Sequence, residues 1–258
     1  MSAYREWLAF HIEAQRGMFI DEVVPAPGRA GVMIFSASEA EPMWNLLFVD
    51  VPTEACRCEA EIAQAFAARG RQPVWYVPDP EGAALPPSWQ ATGQNTWMAR
   101  GTDGVCGVLT EGLALRRVMT PRQAECFNQL YLDVFWGAAP SSDAALPIPE
   151  TAVWTGVADG AFEACHWLLF RRDQPVVLLT TLRRGERAGL YNVGTDPAMT
   201  RRGFASQAIR AALADLQRQG VREVFLLTEC DPALAPFYAR LGFETVATGQ
   251  FYRRQDAG

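Results

Sequence analysis

The stretch LYNVGTDPAMTRRGFAS, residues 190–206, is the most informative in this chain. Leu190–Thr195 reads as a buried strand. Asp196-Pro197 makes a turn, and Arg201-Arg202-Gly203-Phe204-Ala205-Ser206 opens a helix with a basic, glycine-containing start. That order suits a pyrophosphate. A helix N-terminus presents unpaired backbone N–H groups and a partial positive charge. Gly203 has no Cβ, so a phosphate can approach the backbone closely. Arg201 and Arg202 add charge at the rim, and Ser206 adds a hydroxyl donor. An ordinary helix start with solvated arginines accounts for the same residues.

Around this stretch the apolar pattern alternates between strand and helix. The helix opened at Gly203 runs to about Gln219, with Phe204, Ala208, Ile209, Ala212, Leu213 and Leu216 on one face, and Gly220 stops it. Val221–Thr228 is a buried-type strand, Leu234–Arg240 a short helix, and Phe251–Arg253 a closing strand. Upstream, Glu163–Phe170 and Pro175–Leu182 flank Arg171-Arg172-Asp173-Gln174 as a β-hairpin. Pro121 starts a helix to about Trp136, followed by a loop over Gly137–Pro149.

The first half reads as a helix over residues 3–16, strands at Gly31–Ser36 and Asn45–Val51, a helix from Pro52 to Arg69, and a strand at Pro73–Val77. Trp97–Arg100, Val105–Leu109 and Leu113–Val118 are further strand candidates. There is an internal echo. Gly70, a strand and Pro87–Gly93 have nearly the spacing of Gly220, a strand and Pro236–Gly242, as two similar strand-helix modules would.

A chain of 258 residues buries a sizeable core as one large domain or two small ones. Hydrophobic residues at 49% and charged residues at 20% make it globular. A net charge of −6 argues against a duplex nucleic-acid partner and against docking on anionic lipid. No apolar run approaches a membrane span, and the first residues lack the basic-then-apolar order of a signal peptide. The six cysteines, at 56, 58, 106, 126, 165 and 230, read as reduced thiols of a cytoplasmic protein. With only His11 and His166, no His-rich metal site is expected. Cys56 and Cys58 sit at i and i+2 of a helix, which do not face each other.

Residues 190–243 resemble the GNAT superfamily of acyl-CoA-dependent N-acetyltransferases. The family pattern has a strand ending V-x-P or similar, then R/Q-x-x-G-x-G/A at a helix start. Here Thr195-Asp196-Pro197 leads to Thr200-Arg201-Arg202-Gly203-Phe204-Ala205, with Thr200 in place of Arg or Gln. The later pattern, N-x-x-A-x-x-x-Y-x-x-x-G-F, meets Asp231 to Phe243. Tyr238 and Gly242-Phe243 match, while Asp231 replaces Asn and Leu234 replaces Ala.

The resemblance implies a mixed α/β sheet in a tandem GNAT-like fold. Residues 1–112 would be a degenerate copy without a CoA site and 113–258 the complete acetyltransferase domain. The first half's helix start, Pro52–Cys58, has no glycine and carries Glu54, so both backbone approach and charge are wrong there. In the second half, Leu190–Thr195 and Val221–Thr228 would splay to take the pantetheine arm of acetyl-CoA. Val193, Gly194, Thr195, Arg201, Arg202, Gly203, Phe204, Ala205, Ser206, Asp231 and Phe237 would hold the cofactor, with no metal. Tyr238 would be the general acid and Glu229 a candidate base, with a solvated strand-end charge as the rival account of Glu229. Asp231 would cap the following helix or contact CoA. Glu163 and His166 lie on a strand that could line the acceptor side. The acceptor is expected to be a small-molecule or peptide amine. A non-catalytic acyl-CoA-binding or interaction module is the alternative.

Overall fold

The computed structural model describes residues 3–83, 85–135, 137, 162–228, 231 and 233–255. In chain order the first elements are α1 (Ala3–Gln15), β1 (Glu22–Pro25), β2 (Gly31–Phe35), β3 (Leu46–Val49), α2 (Pro52–Arg57), α3 (Glu59–Ala67), β4 (Val74–Pro78) and β5 (Trp89–Gly101). They are followed by β6 (Leu113–Arg117), α4 (Pro121–Phe135), β7 (Glu163–Arg171), β8 (Gln174–Arg184), β9 (Arg187–Thr195), α5 (Phe204–Arg218), β10 (Glu223–Thr228), α6 (Leu234–Ala239) and β11 (Glu244–Arg254). The chain forms two compact units. One holds Met1–Met98, Leu227–Phe237 and Thr245–Gly258; the other holds Ala99–Leu226 and Tyr238–Glu244.

In the first unit the strands run β1-β2-β3-β4-β11-β5. The pairs β1–β2 and β2–β3 are antiparallel, and β3–β4 is parallel through Leu47↔Trp75 and Phe48↔Tyr76. Met33, Phe35, Leu47, Ile62, Phe66, Trp75 and Trp89 share one apolar core. Trp75 and Trp89 stack at 3.9 Å.

The chain's last strand completes this sheet: β11 pairs antiparallel with β4, from Gly249↔Pro78 to Arg253↔Val74. The fit depends on a missing side chain. A Cβ built on Gly249 would lie 1.7 Å from the Tyr76 hydroxyl. That hydroxyl is buried and cannot move aside, because it accepts a hydrogen bond from Trp97 Nε1 at 2.7 Å and donates to Asn95 Oδ1. Gly249→Ala is therefore expected to destabilise the protein by about 2–3 kcal/mol through overpacking and a broken buried network. Urea unfolding followed by tryptophan fluorescence measures it.

In the second unit the strands run β10-β9-β8-β7-β6. The pairs β6–β7, β7–β8 and β8–β9 are antiparallel, and β9–β10 is parallel. Alternation along β7 serves two helices on opposite faces. Leu168 and Phe170 pack with Phe127 and Leu130 of α4. Trp167 lies under Arg117, which is paired to Asp215 of α5 at 2.7 Å, and Arg171 reaches Phe204 of the same helix. α5 buries Ala208, Ile209, Ala212, Leu213 and Leu216, the face that its 3.6-residue period predicts.

Several local expectations change. Val105–Leu109 is not a strand. Gly107 instead lies flat against α5, where a Cβ would come within 2.5 Å of Ala214 Cβ, and Thr110 N donates to Gln207 Oε1 at 2.9 Å. The expected helix from Pro52 to Arg69 breaks at Cys58, whose φ of −100° and ψ of 18° leave the helical region. Pro87–Gly93, the sequence echo of a later helical segment, is not helical: β5 begins at Trp89, whose ring is needed in the sheet's core. β1 carries too few apolar residues to stand out, and β11 is longer than Phe251–Arg253 because it draws its pairing from β4. The expected loop over Gly137–Pro149 falls, except for Gly137, outside the described residues.

Candidate functional site

β9 is where the second unit departs from a regular sheet. Its parallel ladder with β10 includes Glu223↔Arg187, Val224↔Ala188, Phe225↔Gly189 and Leu226↔Leu190. β9 itself continues to Thr195, held on its other side by β8 through Tyr191↔Thr180, Gly194↔Leu178 and Thr195↔Val177. The register shifts between Leu178 and Thr180, which puts an extra residue on β9. Asn192 absorbs it with a φ of 51°, a conformation that Asn tolerates better than most residues. The result is a bulged strand end, Asn192–Thr195, whose backbone N–H and C=O groups on the side away from β8 carry no ladder pair with β10. Such an edge takes up an extended, amide-bearing ligand as a further strand would be taken up. Val193 and Thr195 are half-buried there, and Gly194 is buried.

The strand then turns into α5. Asp196 accepts a hydrogen bond from Ala198 N at 2.9 Å, and Thr200 Oγ1 donates to Pro197 O at 3.3 Å. Arg201 and Gly203 both take positive φ, 60° and 77°. Gly203 is the N-cap, and no side chain caps the helix there. The bond from Gln207 N to Gly203 O closes the first turn at 3.2 Å, so the N–H groups of Phe204, Ala205 and Ser206 precede any intrahelical acceptor. A Cβ built at Gly203 meets nothing within 4 Å. Arg201, Arg202 and Gly203 are exposed; Phe204, Ala205 and Ser206 are half-buried. An uncapped, unobstructed, positively flanked helix start fits a diphosphate in charge, donors and room.

The hairpin of β7 and β8 adds a residue that the sequence did not single out. Arg171 Cζ stands 5.9 Å from the Phe204 ring centroid, bringing a further guanidinium to this corner. Nothing in the local sequence marks it, since the contact is made across the sheet.

Tyr238 belongs to the same compact unit. It lies in the last turn of α6 with 8% exposure, its ring edge-on to Phe243 at 5.9 Å. Its carbonyl accepts from Leu241 N and Phe243 N, which close the turn into Gly242. Burial pushes its phenol up to about 12, so the hydroxyl keeps its proton at neutral pH. Asp231 and Phe237 fall among the residues of the first unit. Asp231 caps α6: its carboxylate accepts from Ala233 N at 2.8 Å and its carbonyl from Leu234 N. Phe237 is half-buried on α6. Glu229 and Cys230 lie outside the described residues.

His166 is buried on β7, with Nδ1 2.8 Å from Thr180 Oγ1 and its ring against Phe127. Glu163 pairs with Arg183 at the exposed end of that strand. No group of three His, Cys, Asp or Glu that could hold a metal ion occurs among the described residues. No helix among them is long and apolar enough to cross a membrane.

The first unit's strand-to-helix turn differs at each of these points. Ala30 O accepts from Asp50 N at 2.7 Å and Val51 N at 3.2 Å, so the amides after β3 are taken. α2 starts with Pro52 and carries Glu54, whose carboxylate pairs with Arg57. The turn at Gly28 packs on this helix so closely that a Cβ there would lie 2.7 Å from Cys58 Sγ.

Residues 128–243 match the profile of the Acetyltransferase (GNAT) family. The sequence matches no curated protein. Among solved structures, a GCN5-related N-acetyltransferase from Kribbella flavida superposes with a TM-score of 0.66 at 17% identity, over 100% of this chain and 96% of that one. A functionally unknown conserved protein from Staphylococcus epidermidis gives 0.65 at 10% identity, over 94% and 97%. A tandem GNAT protein from the clavulanic acid biosynthesis pathway gives 0.57 at 15% identity, over 89% and 80%. The chain has the GNAT-superfamily acetyltransferase fold, in a mixed α/β sheet arrangement.

Proposed function

We propose that this protein is an acyl-CoA-dependent N-acyltransferase that moves an acetyl group from acetyl-CoA to a primary amine. The observation that carries the reading is the bulged end of β9 at Asn192–Thr195, leading directly into the open helix start at Gly203. The free edge at Val193–Thr195 would pair with the amides of the pantetheine arm. The N–H groups of Phe204, Ala205 and Ser206, with Gly203, would take the diphosphate, with Arg201 and Arg202 at its rim. Acetyl-CoA supplies an activated thioester carbonyl. A backbone N–H at the bulge is suited to polarise its oxygen as negative charge develops. The amine nitrogen bonds to the carbonyl carbon as the carbon–sulfur bond breaks, and the amine loses one proton. Tyr238 would give its proton to the departing thiolate, so that free CoA leaves as the thiol. The amine's proton passes to a base, for which Glu229 is the proposed candidate.

The arrangement is proposed to be tandem, with residues 1–112 a degenerate copy and 113–258 the acetyltransferase domain. The occupied amides at Asp50 and Val51, together with Glu54 at the helix start, support a first half without a CoA site. One experiment addresses both points. Native mass spectrometry with acetyl-CoA is expected to give one CoA per chain, and thiol release is expected with at least one member of an amine panel. Two CoA per chain would contradict the degenerate first half. Tight binding without turnover on any amine would favour the alternative, a non-catalytic acyl-CoA-binding module.

A further inference from the structure

We propose that Val134 and Phe135, in the last turn of α4, form the wall that limits the transferred acyl group to about the size of acetyl. The proposal rests on reading the free edge of β9 as the acyl-CoA cleft. Gly194 lies in the middle of that edge, between Val193 and Thr195, and its α-carbon faces α4. A Cβ built there would come 2.7 Å from Val134 Cγ1, 3.3 Å from Phe135 Cζ and 3.4 Å from Phe135 Cε2. Both side chains therefore rest on the strand backbone itself, and the glycine is what lets them. Tyr131 backs the Phe135 ring at 4.7 Å between centroids, which fixes its position from behind. Phe135 is nonetheless 46% exposed, one of the few large apolar side chains among the described residues of which so much faces outward. A ring pinned at one edge and open on the other is the wall of a site rather than part of the core.

The opposite face of the sheet offers no escape. α5 covers it with buried Ala208, Ile209 and Ala212. A chain growing outward from a thioester at β9 would thus meet Val134 and Phe135. The wall already touches the strand at Gly194, so there is no space between them for a run of methylenes, and packed apolar walls yield poorly to added volume.

The test is calorimetric binding of acetyl-CoA and hexanoyl-CoA, each referred to free CoA, which has no acyl group. Wild-type protein should bind hexanoyl-CoA at least about tenfold more weakly than acetyl-CoA, and Phe135→Ala should narrow that gap to about threefold or less. Phe135→Leu, which keeps an apolar contact on Gly194, provides an intermediate gap should the alanine variant melt early. Equal binding of the two thioesters by the wild type would overturn the proposal. So would a gap that survives both Phe135→Ala and Val134→Ala. Failure of free CoA to bind at all would remove the cofactor site itself, an outcome distinct from a cleft that binds CoA and ignores acyl length.

Discussion

Gly203→Glu is expected to lower acetyl-CoA affinity at least about a hundredfold, which is roughly 2.7 kcal/mol. Steric room for the new side chain exists, since nothing lies within 4 Å of where its Cβ would stand. What it does with that room is decisive. The carboxylate would satisfy the free amides of α5 from within the chain, as an acidic N-terminal side chain does for many helices, and so occupy the place of the diphosphate. It would also set a like charge against the phosphates. The backbone contributes a smaller penalty. A φ of 77° costs a residue with a Cβ about 1–2 kcal/mol, and this affects stability rather than binding. Gly203→Asn separates the two effects, because Asn accepts a left-handed conformation without adding charge. Titration calorimetry of both variants, with thermal unfolding alongside, gives the answer. An unchanged dissociation constant for Gly203→Glu would place the diphosphate elsewhere.

Tyr238→Phe should lower turnover about a hundredfold or more and leave acetyl-CoA affinity within about threefold, the signature of an interaction needed only as the thiolate departs. The substitution keeps the ring and its edge-on contact with Phe243. The pH profile provides a second reading. An ordinary phenol loses its proton near 10, whereas burial holds this one to about 12. The protonated, donating form therefore persists across the neutral and mildly alkaline range. Wild-type turnover should show no alkaline fall attributable to Tyr238 below about pH 11, given that raised value. A Tyr238→Phe variant as fast as wild type would leave the side chain a packing role only.

The strand-turn-helix over residues 190–206 was legible because each step has a local cause. An apolar run makes a strand, Asp196-Pro197 turns it, and Gly203 permits the one positive-φ cap that leaves the helix start bare. Helix α5 was legible for the same reason, its buried face following the spacing of Ala208, Ile209, Ala212 and Leu213. What sets the first half's helix start apart was also local: Pro52 and Glu54 stand where the second half has a bare glycine and two arginines. By contrast, the misread segments answer to partners far along the chain. Val105–Leu109 has strand-like composition, yet Gly107 is flattened on α5. Trp89 resembles part of a helical echo, yet its ring stacks on Trp75. Arg171 and Phe135 carry no local signal, because what makes them matter is Phe204 in one case and Gly194 in the other.

Periodicity and backbone preference, properties of neighbouring residues, were enough to specify most elements of the second half and the strand-turn-helix through Gly203. Folding in three dimensions settled how far β9 stays with β10, where the extra residue at Asn192 goes, and that β11 returns to β4 in the first unit with Tyr76 seated on Gly249. Pairing between strands is a free-energy choice among distant segments, governed by shape, burial and hydrogen-bond satisfaction at the contact. No window of sequence contains both sides of that choice.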